Sequence, residues 1–349
     1  MDIFSFIQMA SEKKASDLHI TVGAPPMVRV DGLLHPLQEN SLSPQDTEQF
    51  TKQVLSQEQF HMLQEKGDVD TSLSIKEIGR FRINAFKSQG HYNMALRLLA
   101  ATIPTMDQLQ LPQSIQNLIH KPRGLVLVTG PTGSGKSTTL AAMIDAINQK
   151  RKCHIVTLED PIEYIHTNKK SIVNQREMGL DALGFSHALR AALRQDPDVI
   201  LVGEMRDLDT IHTALTAAET GHLVLSTLHT LGGAKTIDRI IDVFPPHQQD
   251  QIRVQLATVL EGVISQQLVL MEREQGRRGA FEVMLGTPAI RNLIREGKTH
   301  QIPTVIQTSS KFGMKTMDQS LLELYRQGII ARETLLERAV DPENIQRYF

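Results

Sequence analysis

The sequence predicts an α/β protein in two parts, an N-terminal α+β domain and a parallel sheet covered by helices that ends in a helical C-terminal part. The chain has 349 residues, more than the ~100 to 200 of a typical domain. Short strands with antiparallel character dominate up to about residue 100, and from residue 124 apolar strands alternate with helices. We therefore place domains at 1–103 and 124–349, joined by a linker at 104–123 with one short helix. A single compact unit is the alternative.

The N-terminal domain opens with an amphipathic helix in MDIFSFIQMASEKK, where polar Ser5 and Gln8 interrupt the apolar stretch and argue against a signal peptide. Strands are predicted in DLHITV, PMVRVDG, GRFRINAF and MALRLL. Between them, SPQDTEQFTKQVLSQEQFHML predicts one helix opened by Ser43 and Pro44. Prolines then interrupt the linker.

The second domain shows the alternation expected of a parallel sheet. Its apolar strands are LVLVT, HIVTLED, VILVG and HLVLSTLH, with VILV placed at Val199 to Val202. Helices are predicted to start near Ser137, Phe185, Asp207 and Ala234. Beyond residue 245 we expect the chain to be mostly helical.

The composition argues against several classes of function and of binding site. The net charge of -2 gives no bulk attraction to nucleic acid, and Cys153 is the only cysteine, so the chain cannot build an internal disulfide or a multi-cysteine zinc site. No run of 18 apolar residues suggests a membrane span. We expect a cytoplasmic protein that binds no nucleic acid, does not insert into the membrane, and contacts it only through a partner.

The strongest motif is GPTGSGKST between a strand and a helix, which matches the phosphate-binding pattern G-x-x-x-x-G-K-[ST]. Such a loop wraps backbone N–H groups around phosphate oxygens at a helix N-terminus, while the lysine reaches the terminal phosphates and the serine hydroxyl binds magnesium. ATP and Mg²⁺ are the expected cofactors, and no N-K-x-D motif favours GTP. The predicted nucleotide-binding residues are Gly130, Pro131, Thr132, Gly133, Ser134, Gly135, Lys136, Ser137 and Thr138.

A cluster of acids follows the second strand of this domain, in TLEDPIEY. Glu159, Asp160 and Glu163 come where strand ends face the nucleotide in a P-loop fold. Pro161 turns the chain and sets Glu163 off the strand, which suits it to orient or deprotonate an attacking water. A solvated acidic turn is the alternative.

Two further strand ends supply candidates. Glu204, just after VILVG, is one position late for a direct magnesium ligand and could bind the ion through a water. His229 at the carboxyl end of HLVLSTLHT is the better histidine for sensing the terminal phosphate, whereas His222 lies at the opposite end. From the residues alone, a structural role for each histidine is favoured.

These motifs resemble those of the secretion ATPase superfamily over essentially the whole chain, and within it those of the retraction ATPases of type IV pili. GPTGSGKST is similar to the Walker A loop, EDPIE to the Asp box, DPDVILVGEMRD to Walker B and GHLVLSTLHT to the His box. The resemblance implies a RecA-like P-loop domain after a PAS-like domain, for which ASDLHI and GRFRINAF are similar to signature stretches. It implies Glu163 as catalytic glutamate, Glu204 as the Walker B acid, and both His222 and His229 as important for activity.

The resemblance also implies a function, an ATP-driven hexameric motor of pilus retraction and twitching motility. AIRNLIRE at 289–296 is similar to a segment of retraction ATPases, although alone it reads as an amphipathic helix packed on the core. Extension and type II secretion relatives usually carry a tetracysteine zinc site, which one cysteine cannot form. A filament-assembly or DNA-uptake ATPase, and a non-hydrolysing nucleotide-binding subunit, are the alternatives.

The implied partners are other copies of the chain in a homohexamer and an inner-membrane pilus platform protein, with a sister retraction ATPase as a further candidate, at the cytoplasmic face of the inner membrane. Arg80, Arg82 and Arg97 of the first domain are candidate arginine fingers for the terminal phosphate. Surface charges on a half-exposed sheet are the other interpretation. The proline-containing linker is the predicted hinge between the two domains.

Overall fold

A computed structural model describes residues 2–13, 15–30, 32–75, 78–99, 102–273 and 276–348. The chain divides into two compact units, one of Met1–Thr102 with Glu163–Ile165 and the other of Ile103–Ile162 with His166–Phe349. The predicted α/β class is confirmed. The segment Glu163–Ile165 is thus grouped with the first unit, although Ile162 and His166 on either side of it belong to the second.

The first unit is an antiparallel sheet with helices on it, in the order β3-β2-β1-β6-β5-β4. Alternate residues of β5, Phe81, Ile83 and Ala85, are buried with Ile3 and Phe6 of α1, as the period-two pattern requires. The elements are α1 Ile3–Glu12, β1 Asp17–Ile20, β2 Met27–Val30, β3 Leu33–Pro36, α2 Pro44–Val54, α3 Gln57–Lys66, β4 Asp68–Ile75, β5 Gly79–Ser88 and β6 His91–Leu98.

The helix predicted from Ser43 is two helices. Leu55 has extended backbone and ends α2, and Ser56 then caps α3 through a reciprocal pair of hydrogen bonds with Gln59. A capping box inside an apolar periodic stretch therefore marked a helix start that the periodicity alone had hidden.

The second unit is a seven-stranded sheet in the order β13-β12-β7-β11-β10-β8-β9, in which β13 alone runs antiparallel to its neighbour. Its elements are α4 Gln113–Gln116, β7 Gly124–Thr129, α5 Lys136–Lys150, β8 His154–Glu159, β9 Ile172–Glu177, α6 Phe185–Ala192, β10 Val199–Val202, α7 Leu208–Glu219, β11 Leu223–Leu228, α8 Gly233–Asp242, α9 Pro246–Val259, β12 Leu260–Leu270, β13 Arg277–Leu285, α10 Pro288–Arg295, α11 Ile302–Thr308, α12 Met317–Arg326, α13 Arg332–Arg338 and α14 Pro342–Gln346, with 3₁₀ turns at Asn117–His120, Thr299–Gln301 and Ser310–Phe312.

Every residue of β7, β10 and β11 is buried, which explains their uninterrupted apolar sequences. The predicted strand Val199–Val202 is confirmed residue for residue. The carboxyl ends of β7, β8, β10 and β11 lie at one edge of the sheet because these strands are parallel. The phosphate loop and the candidate acids all follow these ends.

The chain beyond residue 245 is mostly helical, as expected, but it also contains two strands that were not predicted. Strands β12 and β13 form a hairpin there, and β12 runs parallel to β7 beside the phosphate loop. Polar Ser265 and Gln266 break the apolar pattern of β12, yet both are buried and hydrogen-bonded. The residues of 104–123 likewise differ from a free linker, because Met106, Leu111 and Ile115 pack into the core of the second unit.

Candidate active site

The phosphate loop connects the buried end of β7 to the first turn of α5, which begins at Lys136. Gly130 has φ of 144°, and a Cβ there would collide with the carbonyl oxygen of Gln266. Only glycine fits, because the position combines left-handed backbone with this close approach. The loop therefore depends on β12, which packs directly against it.

Lys136 is buried and its ammonium group is aimed into the loop. Its Nζ donates to the carbonyl oxygens of Gly130 and Pro131 at 2.9 Å and 3.0 Å. Ser137 is exposed at the second position of α5. A cation, a helix N-terminus and a hydroxyl are thus concentrated at one point, which is the chemistry required to bind phosphate.

Gln266 of β12 joins the loop to the helix that follows it. Its amide nitrogen donates to the Ser134 carbonyl at 2.5 Å, and its amide oxygen accepts from Thr139 Oγ1 at 2.9 Å. The side chain is buried, so both bonds are protected from water. Sequence analysis missed this residue, since no motif marks it.

A cavity of about 330 Å³ opens beside the loop, entirely within the second unit. This volume lies within the range of small-molecule sites. Its walls combine the loop and α5, the segment before α4, and the β12–β13 hairpin. The lining residues are Gln108, Leu109, Gln110, Gly135, Thr138, Thr139, Gln266, Leu268, Met271, Arg277, Arg278, Gly279 and Phe281.

The acids after β8 have different surroundings. Glu159 accepts from Thr157 Oγ1 at 2.6 Å and from Gln175 Nε2 at 3.0 Å, which ties it to the sheet. The peptide bond between Asp160 and Pro161 is cis, and Glu163 follows as a half-buried residue of the first unit. The prediction that Glu163 lies off the strand matches this placement, because β8 ends at Glu159, while the catalytic role of Glu163 stays a prediction.

Glu204 lies after β10 at the same edge, and Arg206 and His229 both lie beside its carboxylate. It accepts from Arg206 Nε, and His229 Nε2 lies 3.4 Å from its Oε1. The hydrogen bond to Glu204 and its negative charge raise the pKa of Arg206 above the usual value. Glu204 and His229 were predicted separately, and the structure brings them together; Arg206 was missed, although its place two residues after Glu204 was visible in the sequence.

Gly203 fits the turn before Glu204 because of close packing. Its N–H donates to the Leu158 carbonyl at 2.7 Å, and a Cβ would stand 3.1 Å from that same oxygen. The carboxyl end of β10 is thereby held close to β8.

The structure does not bring His222 to this edge. It precedes β11, at the amino end of the strand, and its Nδ1 lies 2.9 Å from the Ala217 carbonyl oxygen. His229 follows the carboxyl end of the same strand. The structural role that the residues alone favoured fits His222, and the activity implied for it by resemblance stays a prediction.

The three candidate arginines lie on adjacent strands of the first unit. Arg80 donates to Ser72 Oγ at 2.7 Å, and Arg97 pairs with Asp17 at 2.9 Å. Arg82 is exposed and stands opposite Arg97 in the β5–β6 register. Aligned positions place Arg82, Arg97 and Asp17 in one row across the sheet.

Within the described residues, no three His, Cys, Asp or Glu side chains are grouped so that they could hold a metal. Mg²⁺ is commonly bound by one or two protein oxygens together with substrate phosphates and waters. The hydroxyl of Ser137 and the carboxylate of Glu204, both at the carboxyl edge of the sheet, fit that minimal set. No helix in the described ranges is long and apolar enough to cross a bilayer.

Comparison with known proteins identifies the family. The model of the type II/IV secretion system protein family matches residues 2–337. The chain belongs to this family. The family's PilT, a type IV pilus retraction ATPase of Pseudomonas aeruginosa, is 48% identical over 344 residues, which cover 99% of this chain and all of that protein. A twitching motility protein of Neisseria gonorrhoeae is 48% identical over 320 residues, 92% of this chain and 86% of that one.

Solved structures of the family agree. A crystal structure of the pilus retraction motor PilT with bound ADP superposes with a TM-score of 0.94 at 50% identity, covering 99% of both chains. The ATPase DotB of Legionella pneumophila superposes with a TM-score of 0.80 at 28% identity, covering 96% of this chain and 95% of that one. The predicted superfamily and fold are confirmed.

Proposed function

We propose that the chain is an ATP-hydrolysing motor that powers type IV pilus retraction and twitching motility. The observation that carries the proposal is the phosphate loop with buried Lys136, set beside a cavity of about 330 Å³ and on the same sheet edge as Glu204 and His229. The high similarity to a retraction ATPase and to a motor with bound ADP supports the same function.

ATP binding follows from the loop and the cavity. The phosphates would occupy the loop, where Lys136 exchanges its bonds to backbone carbonyls for bonds to the terminal phosphates. The nucleoside would extend into the cavity, between α5 and the β12–β13 hairpin. Gln266 bonds to the loop and also lines the cavity, so it would hold the loop in a fixed position relative to the base.

Hydrolysis would divide the acids between two tasks. Glu163 would orient or deprotonate the attacking water, and Glu204 would serve the magnesium side with Ser137. Ser137 and Glu204 would hold Mg²⁺, which when bound would supply positive charge against the negative charge of the phosphates. His229, held 3.4 Å from Glu204, would report the state of the terminal phosphate through that pair.

Work would require several copies of the chain. We place it in a homohexameric ring at the cytoplasmic face of the inner membrane, acting on a pilus platform protein, with a sister ATPase as a possible helper. Arg80, Arg82 or Arg97 would reach the terminal phosphate as the first domain closes, which couples turnover to movement.

Steady-state ATP turnover by the purified oligomer tests the enzyme. Wild-type protein should hydrolyse ATP, and Lys136→Ala should lose at least about 100-fold in turnover because the cation on the terminal phosphates is gone. No turnover by wild-type protein would favour the non-hydrolysing alternative. A deletion strain separates the other rival: over-piliated, non-motile cells indicate retraction, and cells without pili indicate assembly.

A further inference from the structure

The segment that carries Glu163 is bracketed by two hydrogen bonds that its backbone donates to one strand. On its near side, the Ile162 N–H donates to Glu177 Oε2 at 3.0 Å. On its far side, the His166 N–H donates to Gln175 Oε1 at 2.8 Å. Gln175 and Glu177 are two residues apart on β9, so their side chains leave the same face of the strand. Three residues, Glu163 to Ile165, span the gap between these two anchors.

The two acceptors are themselves fixed. Gln175 Nε2 donates to Glu159 Oε1 at 3.0 Å, and Glu159 also accepts from Thr157. Glu177 is 4% exposed, and its own N–H donates to Asp181 Oδ2 at 2.8 Å. Strand β9 pairs in parallel with β8, opposite Thr157 and Glu159. The anchors therefore belong to the rigid sheet rather than to a loop.

Beyond the far anchor, the chain is tied to the helix of the phosphate loop. Asn148 of α5 donates from Nδ2 to the Thr167 carbonyl at 2.8 Å and accepts from the Lys169 N–H at 3.1 Å. Lys169 Nζ also pairs with Asp145 of α5 at 2.6 Å. The chain on either side of Glu163 is therefore bonded to the sheet and to α5, which are the elements that also carry the phosphate loop.

We propose that Gln175 and Glu177 are positioning residues for Glu163, fixing both ends of its segment so that the carboxylate is held at a set place relative to the bound nucleotide. This rests on the proposed role of Glu163. Gln175 and Glu177 each act through a backbone N–H of the segment. A displacement of about 1 Å at a catalytic group can cost ~100-fold in rate, so loosening one anchor should reduce turnover by about 10- to 100-fold.

The test compares variants that remove an acceptor with one that keeps it; Gln175→Leu also removes the Nε2 donor to Glu159. Glu177→Gln keeps an amide oxygen for the Ile162 N–H, whereas Glu177→Leu removes it; Gln175→Leu removes the other anchor. Ile172→Thr, at an exposed position of the same strand, is the control. For each oligomer we would measure kcat, KM for ATP, ADP affinity, and amide hydrogen exchange at Ile162 and His166.

The expected result is a 10- to 100-fold loss of kcat in Glu177→Leu and Gln175→Leu, with KM and ADP affinity within about threefold of wild type. Exchange should rise at Ile162 in the first variant and at His166 in the second, while Glu177→Gln and Ile172→Thr stay near wild type. Wild-type kcat in both leucine variants, or equal losses in Glu177→Gln and Glu177→Leu, would overturn the proposal. If Glu177→Leu does not fold, Gln175→Leu and Glu177→Gln give the same decision.

One further variant separates this inference from the role of Glu163. Full turnover by Glu163→Gln would remove the proposed function of that residue, and the positioning inference with it. An inactive Glu163→Gln beside fully active anchor variants would remove only the positioning inference. If the anchors act through Glu163, Glu177→Leu should not lower further the residual turnover of Glu163→Gln.

Discussion

Acid should destabilise the protein through His166, the residue that closes the segment carrying Glu163. His166 is 9% exposed, and its Nδ1 has no hydrogen-bond partner. Burial lowers the pKa of His166 from 6.5 to about 4; the charge of Asp145 opposes this effect and that of Lys169 adds to it. The folded state therefore prefers the neutral ring.

The sign and the size of the change in unfolding free energy with pH follow from the difference in the pKa of His166 between the folded and unfolded states. Because the folded pKa is depressed for a base, the contribution of His166 to stability is present above pH 6.5 and is lost as the pH falls towards 4. At about 1.4 kcal/mol for each pH unit, the neutral ring contributes roughly 2 kcal/mol less at pH 5 than at pH 7, and about 3 kcal/mol less at pH 4.

The assay is the free energy of unfolding by urea at pH 7, 6 and 5 for wild type, His166→Gln and His300→Gln. His300 is exposed in the same unit and serves as the control. The advantage of wild type over His166→Gln should shrink by about 2 kcal/mol between pH 7 and pH 5. An advantage that is constant across this range would refute the assignment of a neutral, buried ring.

Other predictions concern the loop, the arginines and the pair at Glu204. Gln266→Leu should weaken ATP binding by about 10-fold, measured with a fluorescent nucleotide, because the buried Ser134 carbonyl and Thr139 hydroxyl lose their partner; unchanged affinity would contradict the bridge. Substituting Arg80, Arg82 and Arg97 singly with Ala should lower turnover at least 10-fold in one of them with ADP affinity kept. Three fully active variants would leave them as surface charges. Arg206→Ala should alter the magnesium dependence of turnover, because Glu204 loses the guanidinium group that donates to it. A magnesium titration identical to that of wild type would argue against a role of Arg206 at this carboxylate.

Those parts of the fold that follow simple patterns were predictable. Strands β7, β10 and β11 are buried on both faces, so their sequences are apolar throughout and stand out at once. The phosphate loop was equally clear, because glycine spacing, lysine and serine each answer a separate requirement of phosphate binding.

The hairpin β12–β13 could not be predicted from the same patterns. Ser265 and Gln266 look like solvent-facing residues in the sequence, yet both are buried. The Gly232 N–H donates to Ser265 Oγ, and the Gln266 amide bonds to the Ser134 carbonyl and the Thr139 hydroxyl. Such partners lie over thirty or over one hundred residues away in sequence, as the separations of these bonds show. Burial of a polar residue is therefore visible only once its partner is placed.

Strand β9 was missed for a related reason. Its sequence IVNQRE is short and polar, and Ile172 is exposed. The strand is defined by its pairing with β8, and its Gln175 and Glu177 accept hydrogen bonds from the segment of Glu163. Local propensity carries little of this information, because the stabilising contacts are formed with another part of the chain.

ATP hydrolysis by this chain drives pilus retraction, and the residue proposed to activate the water is Glu163. The most direct measurement is the retraction rate of fluorescently labelled pili in cells whose only copy of the chain carries Glu163→Gln, beside cells with the wild-type chain. We predict that pili still extend but that retraction falls at least 100-fold, because the group that activates water is lost. Retraction at the wild-type rate in the Glu163→Gln cells would contradict the account.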